Sequence, residues 1–360
     1  MRVENFSVVD LFCGVGGLTH GFVKEGFNVS VGIDVDESCR FAFEANNNGA
    51  KFINKDVSKI KGEDLLDFFI PNTYKVLVGC APCQDFSAYR RKYKEYSGKW
   101  KMVGEFARLI SELQPDIVSM ENVPQLIKHK GNGQEKKIFE LFVENLENNG
   151  YEVTYKVVDA QDYGVPQRRK RLLLIASKVG RIELLLETHF MKEKVTVREA
   201  IGFLPSLESG EVNEDDNLHR ARALSSKNIE RIKATPHSGG SWKDWKDESL
   251  ILPCHRKMKE KGKKDTFGSV YGRMSWDNVS PTLTTYCTNY STGRFGHPEQ
   301  NRAISLREAA LLQSFPKDYK FINKNESFRI ADITRHIGNA VPVKLGEVIA
   351  QSIKNFIAQK

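Results

Sequence analysis

Residues 7 to 34 constrain the fold more than any other stretch. Ser7-Val-Val-Asp-Leu-Phe12 has the β-branched apolar character of a buried strand, Cys13-Gly-Val-Gly-Gly17 follows as a glycine-rich turn, and an amphipathic helix is predicted from about Leu18 to Glu25. A second strand over Val29–Ile33 ends at Asp34. This order describes a parallel βαβ unit, whose sheet needs helices on both faces. The glycines let the backbone approach a ligand closely. Asp34 stands about 20 residues later, where a nucleotide-binding α/β fold carries the acid for a ribose hydroxyl. A dinucleotide fingerprint beginning at Gly14 would require glycine where the chain has Thr19. That disfavours nicotinamide and flavin cofactors. It leaves a ligand with ribose and adenine but no pyrophosphate, such as S-adenosylmethionine, or a glycine turn that binds nothing.

The alternation continues with a helix near Glu37–Asn46 and a short strand near Lys51–Asn54. Asp56 then closes that strand on the same rim as Asp34, either accepting from an adenine amine or capping a turn. Lys75-Val-Leu-Val-Gly79 reads as a further strand, broken by Pro82, and the small-residue turn Gly79-Cys-Ala-Pro-Cys-Gln-Asp-Phe-Ser87 presents Cys83 at its carboxyl end. Open α/β sheets carry their chemistry on that edge. Three readings of Cys83 stand side by side: a core thiol, one half of a Cys80-x-x-Cys83 redox pair, and a nucleophile. Gln114–Pro124 contains another strand that brings Glu121 to the same rim, where a carboxylate and a thiol can act as acid and nucleophile. Tyr89–Lys101 is basic with interleaved aromatics, as a phosphate-facing loop or a solvated one would be.

A helix over about Gln134–Asn148 and a strand over Tyr151–Val158 precede Gln161–Arg171, in which Arg168, Arg169, Lys170 and Arg171 run directly into the apolar Leu172–Ala176. Four cations before a buried strand are costly unless they meet an anion. From about Gly180 to Gly272 the alternation stops. This polar, irregular stretch carries Trp242, Trp245, Phe267 and Tyr271 and the basic run Arg256–Lys264, and is more aromatic than a linker. Helices are expected again over Ser305–Phe315 and Lys344–Ile357.

The chain has 360 residues, enough for two domains, and its +8 charge and pI near 9.0 admit an anionic partner. No apolar run approaches the roughly 18 residues of a membrane span, so a cytoplasmic protein is expected. Six cysteines at 13, 39, 80, 83, 254 and 287 suggest free thiols in a reducing interior, and only Cys80 and Cys83 have metal-ligand spacing, so no metal is expected.

Taken in order, Asp10-Leu-Phe-Cys-Gly-Val-Gly-Gly17, Pro82-Cys-Gln84, Glu121-Asn-Val123, Gln167-Arg-Arg-Lys-Arg171, Arg307-Glu-Ala-Ala-Leu-Leu-Gln313 and Gly338-Asn-Ala-Val341 closely resemble the motif set of the DNA cytosine-5 methyltransferases of the modification-methylase type. The resemblance runs from end to end except over about 180–270, which in that family is the target-recognition segment. It implies a doubly wound, mostly parallel α/β sheet with the S-adenosylmethionine-dependent methyltransferase fold. The catalytic and cofactor-binding domain would span 1–185, completed by 330–360, with a smaller irregular target-recognition domain and hinge over 186–329. It implies Cys83 as the nucleophile, Glu121 on the ring nitrogen and exocyclic amine, and Arg169 and Arg171 near the cytosine and the thiol. For S-adenosylmethionine it implies Phe12, Gly14 and Gly16 in the first loop, Asp34 at the ribose, Asp56 at the adenine, and Asn339 and Val341 in the closing motif. The partners implied are double-stranded DNA and a cognate restriction endonuclease without a stable complex, for a chain that is itself a monomer. Val35 replaces a larger side chain often found beside the adenine, and Cys13 and Ala81 are departures that carry no chemistry in this reading. A tRNA cytosine-5 methyltransferase with the same catalytic set is the nearest rival, followed by an inactive DNA-binding protein and a redox enzyme.

Overall fold

The computed structural model describes residues 6–82, 101–130, 136–189, 194–260, 268–323 and 326–360. The chain separates into two compact units. The first comprises Met1–Tyr163, Lys170–Thr188 and Ala340–Lys360, and the second Gly164–Arg169 and His189–Asn339. Residues 164–169 and 330–339, set with the catalytic part by the sequence reading, thus fall in the second unit.

The first unit is built on a seven-stranded sheet: β1 (Phe6–Leu11), β2 (Asn28–Asp34), β3 (Lys51–Asn54), β4 (Tyr74–Gly79), β5 (Ile117–Asn122), β6 (Glu152–Asp159) and β7 (Lys170–Ser177). Their spatial order is β3-β2-β1-β4-β5-β7-β6. Pairing is parallel from β3 to β5, and β7 runs antiparallel to both β5 and β6. All six residues of β1 and of β5 are buried, as strands covered on both faces must be.

Helix Lys101–Leu113 covers one face through Val103, Phe106, Leu109, Ile110 and Leu113, whose spacing of three and four residues keeps them on one stripe. The last helix, Val343–Ala358, packs on Gly17–Lys24 at a close crossing. A Cβ on Gly21 would stand 2.6 Å from the backbone nitrogen of Glu347, and one on Gly346 would stand 2.7 Å from the Leu18 carbonyl oxygen. Only glycine allows that approach.

In the second unit the described residues form short helices, including Ser226–Ala234, Leu306–Leu312 and Ile330–Asn339, and isolated β-bridges. Its core is aromatic. Trp242 and Trp245 are 4% and 6% exposed and pack with Tyr271 and Tyr290, and the Trp245 indole donates to Thr235 Oγ1 at 2.8 Å. These two tryptophans of the expected target-recognition segment are therefore core residues. Buried arginines supply the polar order. Arg273, fully buried, donates to the carbonyl oxygens of Ile232, Thr235, His297 and Gln300 and to Asn301 Oδ1, at 2.5–3.1 Å. Arg302 makes a two-pronged bond to Glu308, at 2.8 and 2.7 Å, whose carboxylate also caps its own helix at the Ser305 N–H.

Candidate active site

The carboxyl ends of β1 to β5 share one rim, because those five strands are parallel. After β1 the backbone takes left-handed conformations at every second residue: Phe12 at φ 60°, Gly14 at 50° and Gly16 at 83°. The loop stays stitched to β2 by the Cys13 N–H, which donates to the Ile33 carbonyl at 3.2 Å. Gly16 then caps helix Gly17–Lys24. At the end of β2, Asp34 Oδ2 accepts from the Gly14 N–H and Oδ1 from the Asp36 N–H, each at 2.9 Å. Burial outweighs these two bonds and raises the Asp34 carboxyl above the ordinary range.

A Cβ at Gly14 would meet nothing within 4 Å, Phe12 is half-buried, and Val35 is 72% exposed. An open backbone turn, a carboxylate and two apolar side chains suit a nucleoside-bearing ligand without phosphate, as S-adenosylmethionine is. Asp56 takes the capping role foreseen as its alternative. Its carboxylate accepts from Ser58 N–H at 2.9 Å and Ser58 Oγ at 2.8 Å, and the backbone bond to Ser58 is the main cause of its lowered pKa.

At the ends of β4 and β5, Glu121 is 3% exposed, with Arg171 Nε 2.8 Å from its Oε1. Arg171 enters from β7, whose Leu173 is paired with Glu121 in the sheet register. One of the four cations expected before this strand thus meets an anion, while Arg168 and Lys170 are exposed. The Cys80 thiol donates to Glu121 Oε2 at 2.9 Å. The next residue of β5, Asn122, donates from Nδ2 to the Ala81 carbonyl at 3.1 Å, while its Oδ1 accepts from the Val123 N–H at 2.8 Å. The two residues leading into the Pro82-Cys83 turn are therefore tied, one by its side chain and one by its backbone, to the end of β5. Cys83 lies outside the described residues, as do 84–100 and Lys261, Lys263 and Lys264 of the basic run.

Arg169 belongs to the second unit. It is 4% exposed, and its guanidinium donates to the carbonyl oxygens of Leu283 and Gly338 at 3.0 and 3.1 Å. Gln167 accepts from the Leu283 N–H at 2.9 Å and donates to Gln313 Oε1 at 2.8 Å, while Gln313 donates to the Ile337 carbonyl at 2.7 Å. Arg169, Gln167 and Gln313, from two sequence motifs, thus hold one another and the backbone at Leu283. Asn339 ends helix Ile330–Asn339 and is exposed, and Val341, in the first unit, is 6% exposed. Sequence reasoning gave no individual role to Gln167 or Asn122, and offered Cys80 a role only through its C-x-x-C spacing to Cys83. Their signal was adjacency to the motif residues, without a chemistry to go with it. Among the described residues, no helix is long and apolar enough to cross a membrane.

Comparison with known proteins agrees with this geometry. The family model for C-5 cytosine-specific DNA methylases matches residues 6–355. Type II methylase M.HgiDII of Herpetosiphon aurantiacus is 50% identical over 353 residues, covering 98% of this chain and 96% of that protein. Type II methyltransferase M1.HphI of Haemophilus parahaemolyticus is 30% identical, covering 97% and 87%. Among solved structures, a DNA modification methyltransferase encoded within an E. coli prophage superposes with a TM-score of 0.72 at 24% identity, covering 99% of this chain and all of the other. DNMT2 of Spodoptera frugiperda does so with 0.63 at 15%, covering 97% and 99%. These two likenesses bear on the fold, which is that of the S-adenosylmethionine-dependent methyltransferases. With the family model spanning nearly the whole chain and a relative half identical along its length, this chain belongs to the C-5 cytosine-specific DNA methylases.

Proposed function

We propose that this methyltransferase moves a methyl group from S-adenosylmethionine to carbon 5 of a cytosine flipped out of duplex DNA, at a specific sequence, through a covalent bond from Cys83. The observation that carries the reading is Glu121, a buried carboxylate held at the end of β5 by Arg171 and tied through Cys80 to the strand that leads to Cys83.

Carbon 5 of cytosine is a weak nucleophile, and addition of the Cys83 thiolate to carbon 6 would make it an enamine-like one. Glu121 would hold the ring nitrogen and exocyclic amine while charge moves into the ring. S-adenosylmethionine supplies an electrophilic methyl on a sulfonium. After carbon 5 has taken the methyl, loss of its proton to a base and breakage of the bond between sulfur and carbon 6 restore the aromatic ring and free Cys83. Phe12, Gly14, Gly16 and Asp34 would hold the methyl donor along the first loop, Asp56 would do so near the adenine, and Asn339 and Val341 would close over it. Arg171 would keep the Glu121 carboxylate in place. Arg169, whose donors go to backbone carbonyls, fits a positioning role for the 283 segment better than contact with the base. Residues 186–329 would read the DNA sequence, and the target base must leave the stack to be reached. A companion restriction endonuclease would act on the same sequence.

Transfer of labelled methyl from S-adenosylmethionine to duplex DNA and to tRNA, with the modified position mapped by bisulfite sequencing, tests this. Sequence-specific label on carbon 5 of DNA cytosine is expected. Label on tRNA alone would move the assignment to the rival substrate.

A further inference from the structure

Glu121 has two carboxylate oxygens, and each meets a different donor. Arg171 stands 2.8 Å from Oε1, and the thiol of Cys80 donates to Oε2 at 2.9 Å. Both partners sit on strands flanking β5, Arg171 on β7 and Cys80 just past β4, whose N–H continues the sheet by donating to the Leu11 carbonyl at 3.3 Å. The carboxylate is thus held in one plane by two flanking strands. A carboxylate at the end of a three-bond side chain otherwise turns broadly about its last torsion.

We propose that Cys80 is a positioning residue for methyl transfer: its S–H fixes Glu121 Oε2 in the orientation the cytosine needs and yields when the base arrives. The thiol suits this because it is a weak donor. It orders the oxygen in the free enzyme, and a stronger N–H donor from the base replaces it at little cost. Arg171 on Oε1 is a charged partner that stays, so the two donors divide the carboxylate into a permanent and an exchangeable side. This inference rests on the proposed role of Glu121 and adds to it the origin of the carboxylate's orientation. The spacing of Cys80 and Cys83 admits a redox pair, whereas the bond to Glu121 gives Cys80 a role that needs no oxidant.

The test compares Cys80→Ala, Cys80→Val and Cys80→Ser in the full chain, by steady-state kinetics on duplex DNA, with Glu121→Gln as reference. Ala and Val remove the donor in a smaller and a similar volume, and Ser restores a donor. The expected result is a fall in kcat of about tenfold for Ala and Val, the size of effect that loose positioning produces, with KM for DNA and for S-adenosylmethionine changed less than about twofold. Cys80→Ser should return kcat to within about twofold of the wild type. A packing role would instead make Val the best replacement and Ser no better than Ala, and that ranking overturns the inference. So does wild-type kcat in Cys80→Ala and Cys80→Val while Glu121→Gln is crippled, an outcome that leaves the role of Glu121 standing. Wild-type kcat in Glu121→Gln would instead remove the catalytic reading of Glu121 itself, and this inference with it.

Discussion

The two units bury charge in opposite ways. In the first, isolated carboxylates lie at or near the ends of strands, among them Asp10 and Asp34, with few cations beside them. Asp10 is 1% exposed, accepts from Thr19 Oγ1 at 2.5 Å, and leaves Oδ1 without a hydrogen-bond partner among the described residues. Burial chiefly raises its carboxyl to about 7, against the bond from Thr19 and with help from the Asp34 charge. In the second unit the buried arginines Arg273 and Arg302 are each met by several acceptors. Burial pulls the Arg273 guanidinium down only to about 10, so it keeps its charge at neutral pH. The Glu308 carboxyl is held at about 2, with the Arg302 charge and hydrogen bonds overcoming its burial. The contrast teaches that a sheet satisfies its own backbone and can carry carboxylates such as Asp10 and Asp34 with no cation paired to them among the described residues. A unit without such a sheet needs side chains to satisfy its backbone carbonyls.

The sharpest way to break that comparison is Arg273→Met, which removes the donors from five oxygens in the second unit. A loss of about 3–5 kcal/mol is expected, the cost of breaking a buried charged network. Denaturant unfolding followed by tryptophan emission checks it, since Trp242, Trp245 and Trp276 lie in that unit. A loss below about 1 kcal/mol would mean that helix packing, and not Arg273, orders the unit.

A smaller effect gives the two units opposite pH slopes. The folded Asp10 pKa, about 7, is above the ordinary 3.8. The native state therefore holds a proton the unfolded chain has lost, and this contribution is full below about pH 4 and lost as pH rises toward 7. His297 is the reverse. Burial depresses it from 6.5 to about 4, so its contribution is present above pH 6.5 and lost as pH falls toward 4, while that of Glu308 is lost from 4.5 down to about 2. Across their windows the Asp10 contribution is on the order of 4 kcal/mol and that of His297 on the order of 3 kcal/mol. Hydrogen exchange between pH 4.5 and 6.5, corrected for intrinsic rates, should show protection falling with pH in β1 and rising with pH in Leu306–Leu312. Asp10→Asn should flatten the first slope and His297→Gln the second. Slopes of the same sign in both units would contradict the comparison.

The same contrast explains what was legible in the sequence. The strand of residues 51–54 and the ends of β4, β6 and the last helix fall within a residue of where apolar patterning put them, and β4 shows the reason most plainly, because a buried parallel strand writes its burial directly into its residues. Helix Lys101–Leu113 was missed: a charged stretch runs into its first turn, and its apolar stripe emerges only from Val103 onward. In the second unit the aromatic content was visible, but whether Trp245 faced solvent or core depended on its bond to Thr235 and on Tyr271 and Tyr290, which lie 26 and 45 residues further along the chain. At the site, residue types at strand ends pointed to Asp34 and Glu121. The Cys80 bond to Glu121 required the register of β4 beside β5, which no local pattern encodes.

The central claim, that the strand ends of the first unit serve a cysteine nucleophile, is tested most directly with duplex DNA carrying 5-fluorocytosine at the mapped target. Fluorine at carbon 5 cannot leave as a proton does, so the bond between sulfur and carbon 6 should persist after methyl transfer. Intact-mass and peptide mass spectrometry should find a stable protein–DNA adduct at Cys83 in the presence of S-adenosylmethionine, and none in Cys83→Ser. A wild-type enzyme that methylates ordinary DNA yet forms no adduct, or an adduct at Cys80 in place of Cys83, would contradict the account.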